Sequence, residues 1–331
     1  MKLQVPFLQL PLRFDADRLN AEVEALGEQA WRPHPQGFAG NDSLTLITAN
    51  GDPDSDEVAG PMRPTPHLLR CPYLMQTLDA VGATWGRSRL MRLSGQAEVT
   101  PHVDINYYWR ERVRVHVPIL TQPTVRFHCG DAEINMAAGE CWIFDTWRLH
   151  RVVNDASRPR IHLVADTVGG DGFWSMMQAA RPANRDMPGW QARLVAPKEA
   201  PMPQLDYETM NYPRVMTPWE MREHIVFLLG ECEPHPQVPA VNGVLLRLAR
   251  RWQALWSCYG EDERGWPRYR ALIEEAKTEL KANGADRIAL RNDVAFLQAL
   301  VSCVLEVAVA DRPNNDVEIR QRPNARAAGQ A

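Results

Sequence analysis

The sequence predicts an α+β protein: an antiparallel sandwich or barrel such as a jelly roll, followed by a helical region. Three observations carry this. From about residue 86 to 168 apolar and polar side chains alternate, as in Arg112-Val113-Arg114-Val115-His116-Val117, with glycines and polar turns between the runs. No helical pattern interrupts these short strands, which favours antiparallel pairing. After a proline-rich connection the period lengthens to that of an amphipathic helix.

Residues 1–85 mix short apolar runs with proline and read as a region flanking the barrel. Their acidic loop, Gly51-Asp52-Pro53-Asp54-Ser55-Asp56, invites a calcium reading that fails. Counted from Asp52, an EF-hand loop needs glycine sixth and glutamate twelfth, where Glu57 and Arg63 stand. A solvated turn is the better reading. The barrel core, 86–168, has alternating runs at 112–117, 124–129, 133–136, 140–145 and 160–166. Residues 169–216, with Pro182, Pro188, Pro197, Pro201, Pro203 and Pro213, form the connection. Thr217-Pro218-Trp219-Glu220 then supplies an N-cap, a proline at the first helical position and a glutamate three after the cap, opening a helix that Gly230 closes. Further helices are predicted over 242–259, 267–283 and 287–310. In the last, Leu290, Val294, Leu297, Val301 and Val304 make one apolar stripe, either core or the surface for a second copy in a homo-oligomer. The helical domain thus spans 217–311, and the polar segment 312–331 is expected to be disordered.

Composition narrows the function. The 331 residues are 45% hydrophobic and 24% charged, with a formal net charge of −4 and both signs interleaved, so neither nucleic acid nor an anionic membrane is an expected partner. No apolar run approaches the roughly 20 residues that span a bilayer, and Met1 to Pro11 offers no export signal, so a cytoplasmic location is expected. Cys71, Cys129, Cys141, Cys232, Cys258 and Cys303 are scattered without a C-x-x-C spacing, which points to reduced, mostly buried thiols.

Five of the nine histidines, His102, His116, His128, His150 and His162, fall in the strand-rich middle. His102-Val103-Asp104 puts an imidazole and a carboxylate two residues apart, on one side of a strand edge, where both can grip one metal. His150, at the end of Trp142-Ile143-Phe144-Asp145-Thr146-Trp147-Arg148-Leu149-His150, is the third ligand candidate. Two histidines and one carboxylate leave metal positions open, the arrangement suited to non-haem Fe(II) and oxygen chemistry. Arg160 follows ten residues after His150, in Arg160-Ile161-His162-Leu163-Val164-Ala165-Asp166, and its guanidinium fork there can hold a carboxylate. A 2-oxo acid that chelates the metal needs such a fixed cation for its far carboxylate; zinc hydrolysis does not.

These residues resemble the aspartyl/asparaginyl/proline β-hydroxylase family of Fe(II)- and 2-oxoglutarate-dependent dioxygenases. The resemblance covers about 86–168. It rests on Gly95 before Pro101-His102-Val103-Asp104, on Arg112 to Pro118, on Gly139-Glu140-Cys141-Trp142-Ile143-Phe144-Asp145, on His150 with Asn154, and on Arg160 to Asp166. It implies a double-stranded β-helix (jelly-roll, cupin-like) barrel, with His102, Asp104 and His150 as iron ligands, Arg160 on the distal carboxylate of 2-oxoglutarate, and Arg114 and His116 on the metal-proximal carboxylate. Asp104 makes the chain similar to the free proline hydroxylase branch and disfavours halogenation, which needs that metal position open. No family motif is found in 171–331, so the helical region is where this chain's own substrate preference would lie. The implied reaction is hydroxylation of an unactivated C–H bond of an amino acid or peptide residue with O2, releasing succinate and CO2.

Other readings stand beside these. Arg112, Arg114 and His116 share one strand face, which in an antiparallel sheet is often solvated; the barrel interior is preferred for Arg114 and His116, and Arg112 is left open. His162 shares the parity of Arg160 and reads as a supporting or packing residue, His128 as a surface or core histidine, and Asp145 and Asp166 as orienting or turn residues. Tyr107-Tyr108-Trp109-Arg110 is either a substrate lid or a packed loop. The rival functions are a cupin isomerase or hydrolase on another divalent metal, active without 2-oxoglutarate, and an inactive barrel that binds partners through its helices.

Overall fold

Strand β1 (Phe7–Phe14) ends at Asp15, whose carboxylate accepts from Arg18 N and so caps helix α1 (Ala16–Leu26). Leu19, Glu22, Val23 and Leu26 form the buried stripe of α1 at helical spacing. Glu22 is buried for a reason visible at its tip: its two oxygens accept from Tyr73 N (2.8 Å) and Leu74 N (3.0 Å), the orphan donors that open helix α2 (Pro72–Val81). The computed structural model describes residues 1–35 and 37–309. Between and after these helices run β2 (Arg32–Pro33), β3 (Asn41–Ala49), β4 (Met62–Pro64), β5 (Thr84–Leu93) and β6 (Ala97–His102). Helix α3 (Tyr107–Glu111) leads to β7 (Val113–Leu120), β8 (Val125–Cys129), β9 (Ala132–Ile134), β10 (Glu140–Phe144), β11 (His150–Asn154) and β12 (Arg160–Gly169). Helix α4 (Asp171–Met177) and the short strands β13 (Arg181–Pro182) and β14 (Arg193–Val195) follow, both pairing with β1.

One sheet has the order β13-β1-β10-β7-β12-β5-β3-β2, and the other β6-β11-β8-β9. From β5 to β12 the chain shuttles between them: β5, β7, β10 and β12 lie in the large sheet, β6, β8, β9 and β11 in the small one. That winding is the double-stranded β-helix, or jelly roll, expected from the alternating runs. Each long strand of the large sheet feeds two cores. On β7 and β12, Val113, Val115, Val117, Ile119, Ile161, Leu163 and Ala165 face the core shared with α1 and α2, with Leu19, Leu44 and Leu74. Their neighbours in sequence face the other sheet, where Phe7, Leu93, Phe127, Trp142, Phe144 and Val152 make a second, aromatic core.

Two compact units result. Among the described residues, the first takes 1–100 and 108–212; the second takes 101–107 and 213–309. In the second, Thr217 Oγ1 accepts from Glu220 N (3.2 Å) and starts helix α5 (Pro218–Gly230), ending at the glycine foreseen. Helices α6 (Val238–Tyr259) and α7 (Trp266–Ala282) pack through Trp252 and Tyr269, ring centroids 4.5 Å apart, and Trp252 Nε1 donates to the Met216 carbonyl (2.8 Å).

The helix predicted over 287–310 is not formed as one piece. Leu290 N bonds Val294 O (2.8 Å) and Phe296 N bonds Ile288 O (2.9 Å), closing a tight hairpin around Asp293 at φ 64°, and only Phe296–Leu300 (α8) is α-helical before a wider turn at Val301–Leu305. Asn292-Asp293 tolerates the left-handed turn, and that local chemistry overrides the apolar period. Leu290, Val294 and Val304 are core, whereas Leu297 and Val301 are only half-buried. The tail expected to be disordered, 312–331, lies outside the described residues. Five of the six cysteines are buried and all are free, as expected; Cys258 is exposed.

Candidate functional site

β6 ends on His102, Asp104 follows two residues later, and β11 begins on His150. All three are buried, and each offers a ligand atom within 4.8 Å of the others. The turn that delivers His150 is built around Asp145, fully buried, which accepts from Trp147 N (3.0 Å) and Arg148 Nε (2.9 Å). The Arg148 carbonyl then lies 2.9 Å from His150 Nδ1. A carbonyl only accepts, so Nδ1 carries the proton and Nε2 keeps its lone pair for a metal. Phe144 meets the same ring edge-on with centroids 4.8 Å apart. His102 Nε2 and Asp104 Oδ1 stand 3.9 Å apart. Two imidazole nitrogens and one carboxylate, dry and converging, fit a divalent transition metal with open positions.

A second constellation faces the aromatic core from β7 and β12. Arg160, His162 and Asp166 share one face of β12, and cross-strand pairing sets Val164 against His116 and Asp166 against Arg114. Arg160 is buried at 4% exposure, and among the described residues its polar partner is His162, whose Nδ1 lies 2.7 Å from Arg160 Nη2. No carboxylate pairs with it among the described residues, and its Nε donates to nothing there. Burial alone presses its pKa down to about 9, still above physiological pH, so the guanidinium stays charged. His116 Nδ1 lies 3.4 Å from the same His162 nitrogen. Both imidazoles are driven well below the ordinary histidine range, first by burial and then by the Arg160 charge, and are neutral at pH 7. Arg114 and His150 also press the His116 ring down, which puts all these groups in electrostatic reach of one another.

Arg114 is differently placed. Its Nε donates to Asp166 Oδ1 (3.1 Å), and its guanidinium lies 4.0 Å from the centre of the Trp109 ring. Burial raises the Asp166 carboxyl, while Arg114, Arg87 and Arg89 pull it back down. Arg112, left open by the sequence, is held by Glu208 through a bidentate ion pair of 2.8–3.1 Å and by the face of Tyr108, 4.1 Å away. The segment Tyr107-Tyr108-Trp109 is not an exposed lid: all three rings are buried in α3, Tyr108 and Trp109 edge-to-face at 4.7 Å. His128 lies in the β8–β9 hairpin beside Glu133 (3.3 Å), away from the ligands in role. Asn154 ties β11 to the turn after β5, donating to Leu93, Ser94 and Arg158 carbonyls. Sequence reading missed the partners: Glu208, 96 positions from Arg112, left no local signal, whereas the shared parity of Arg160 and His162 could have suggested theirs.

The fold and donor set define a double-stranded β-helix protein with a buried His-Asp-His cluster. The model of the Aspartyl/Asparaginyl beta-hydroxylase family matches residues 17–169, from α1 to the end of β12. Over that segment the match agrees with the resemblance read from the sequence. Among solved structures the chain is similar to a prolyl-4-hydroxylase from Pseudomonas putida (15% identity, 50% of this chain and 92% of that one, TM-score 0.35). It is also similar to a 2OG-Fe(II) oxygenase family oxidoreductase from Burkholderia pseudomallei (13%, 46% and 80%, TM-score 0.31). A third likeness is to a Trichoplax adhaerens prolyl hydroxylase in complex with a hypoxia inducible factor oxygen degradation domain peptide fragment (11%, 52% and 87%, TM-score 0.36). No curated protein matches the chain. Among the described residues no helix is long and apolar enough to cross a membrane.

Proposed function

We propose that this protein is an Fe(II)/2-oxoglutarate-dependent dioxygenase that hydroxylates an unactivated C–H bond of an amino acid or of a peptide residue, releasing succinate and CO2. One observation carries the reading: a buried guanidinium, Arg160, faces the barrel interior with a neutral imidazole for company and no acid among the described residues. An uncompensated buried cation is expensive to keep, so its retention calls for an anion supplied from outside. A dicarboxylate held at one end by this fork and at the other by a metal meets that need.

In this reading His102, Asp104 and His150 hold the metal, which when bound supplies the oxygen chemistry. Arg160 takes the distal carboxylate of 2-oxoglutarate with parallel charge-assisted bonds. Arg114 and His116 serve the metal-proximal carboxylate, Arg114 with its charge shared by Asp166. Phe127 and Phe144, against His116 and His150, keep water from the cosubstrate and so strengthen each of these contacts.

The test is succinate formation, with Fe(II), from 2-oxoglutarate alone and then with an amino-acid and peptide library. Arg160→Ala is expected to raise the 2-oxoglutarate KM by about 30-fold or more, as loss of a buried charged partner costs about 2–5 kcal/mol at about 1.4 kcal/mol per tenfold. Bound iron should be unchanged, and Arg160→Lys should fall between. An unchanged KM would remove the reading, since Arg112 is already occupied by Glu208. Activity that needs a metal but not 2-oxoglutarate would favour the isomerase or hydrolase alternative.

A further inference from the structure

We propose that His162 is a positioning residue for Arg160: a neutral imidazole protonated on Nε2, which fixes the guanidinium through Nδ1 without cancelling its charge. The inference rests on the reading of Arg160 as the cosubstrate cation. It starts from the 2.7 Å contact between Arg160 Nη2 and His162 Nδ1. A guanidinium nitrogen in a protein has only protons to offer, so Nδ1 must be the acceptor and the ring proton must sit on Nε2. A doubly protonated ring would set N–H against N–H. Burial and the Arg160 charge both oppose that second proton.

The choice of partner has a chemical consequence. A carboxylate in this position would lock the arginine equally well, as Glu208 locks Arg112, but it would also occupy the positive charge. An incoming dicarboxylate would then have to displace an internal acid. Imidazole satisfies one N–H, restrains a side chain with four rotatable bonds, and leaves the full charge for the ligand. It also leaves donors to spare. His162 Nε2 and Arg160 Nε are both buried and have no hydrogen-bond partner among the described residues. Such groups are costly to keep in a fold unless something fills them. His162 Nε2–H thus belongs, with Arg160 Nε–H, to the donors that an anion would satisfy.

Two measurements test this. In the metal-free wild-type protein at pH 7.5, nitrogen NMR of labelled histidine should show His162 unprotonated at Nδ1 and protonated at Nε2; the opposite tautomer, or an imidazolium, overturns the proposal without any variant. Calorimetric 2-oxoglutarate binding to the Mn(II)-loaded protein then separates the roles. His162→Leu should weaken binding about tenfold or more, and His162→Asn, whose amide oxygen can stand where Nδ1 was, only about threefold. His162→Asp should weaken it most, about a hundredfold, because it pairs the arginine internally. Manganese content should be equal throughout. If Arg160→Ala weakens binding while all three His162 variants bind as wild type, the positioning role falls and the cosubstrate reading stands. If Arg160→Ala itself binds as wild type, both fall.

Discussion

Arg112 and Arg160 are both buried guanidiniums in one barrel, and they predict opposite responses to removal of a partner. Arg112 is neutralised by Glu208 at 2.8 Å, so Glu208→Ala strands a charge and should destabilise the fold by about 3–5 kcal/mol in denaturant unfolding, against little change for Glu208→Gln in shape alone. Arg160 has no such acid among the described residues, so Arg160→Met should leave the metal-free protein as stable as wild type or more so, while abolishing any rise in Tm that the proposed cosubstrate, 2-oxoglutarate, gives with Mn(II). The proposed ligand cluster gives a simpler expectation. His150→Ala or His102→Ala should lose bound iron and turnover with an unchanged far-UV circular dichroism spectrum, because both are peripheral to the aliphatic core; iron content equal to wild type in either would remove that residue from the ligand set. At this scale the sequence was informative where a fixed offset brings groups together, as for His102 with Asp104, and the shared parity of Arg160 and His162 was visible without their contact. It was silent where partners meet through the tertiary fold, as for Arg112 with Glu208.

Strands were more legible than the last helix. Alternation in 112–117 and 160–166 is imposed by two-sided burial, so pattern and element coincide, whereas the stripe of Leu290, Val294, Leu297, Val301 and Val304 satisfies a helical period across a hairpin that Asp293 turns. Periodicity records which residues are apolar; it does not record the one left-handed residue that redirects the chain. Connections are also decisive in the barrel. A methyl on Gly95 would sit 2.3 Å from the Ser157 carbonyl oxygen, a backbone atom with little room to yield. Gly95→Ala should therefore push apart the turns joining β5 to β6 and β11 to β12, lowering stability by about 1–3 kcal/mol, and should impair metal binding because β6 carries His102. Thr217→Ala, which removes only the cap of α5, should cost about 1 kcal/mol and leave iron content alone.

At the scale of the whole molecule, pH acts through the neutral imidazoles of the barrel. His116 and His162 are held below the ordinary pKa of about 6.5, so above that pH neither folding nor unfolding moves a proton at them. Below it the unfolded chain takes up protons that the folded barrel refuses. Stability should therefore fall as pH drops from about 6.5, by about 1.4 kcal/mol per unit for each residue, until the folded values are reached. Denaturant midpoints between pH 7.5 and 5 read this directly, and His162→Asn should remove one of the two contributions; a wild-type profile flat across that window would mean that the folded rings take up protons as readily as the unfolded ones. The jelly roll itself was legible from alternation and from the motif order, but the cooperation of the two faces of the large sheet was not. It has an evolutionary corollary. Since β12 sends Ile161, Leu163 and Ala165 to one core and Arg160, His162 and Asp166 to the other, this strand can drift by substitution but hardly by length. Losing a single residue near Val164 would exchange the oily and the charged face over half the strand, so descendants of this gene should gather their insertions and deletions in the hairpin between β8 and β9, and almost none between 160 and 166.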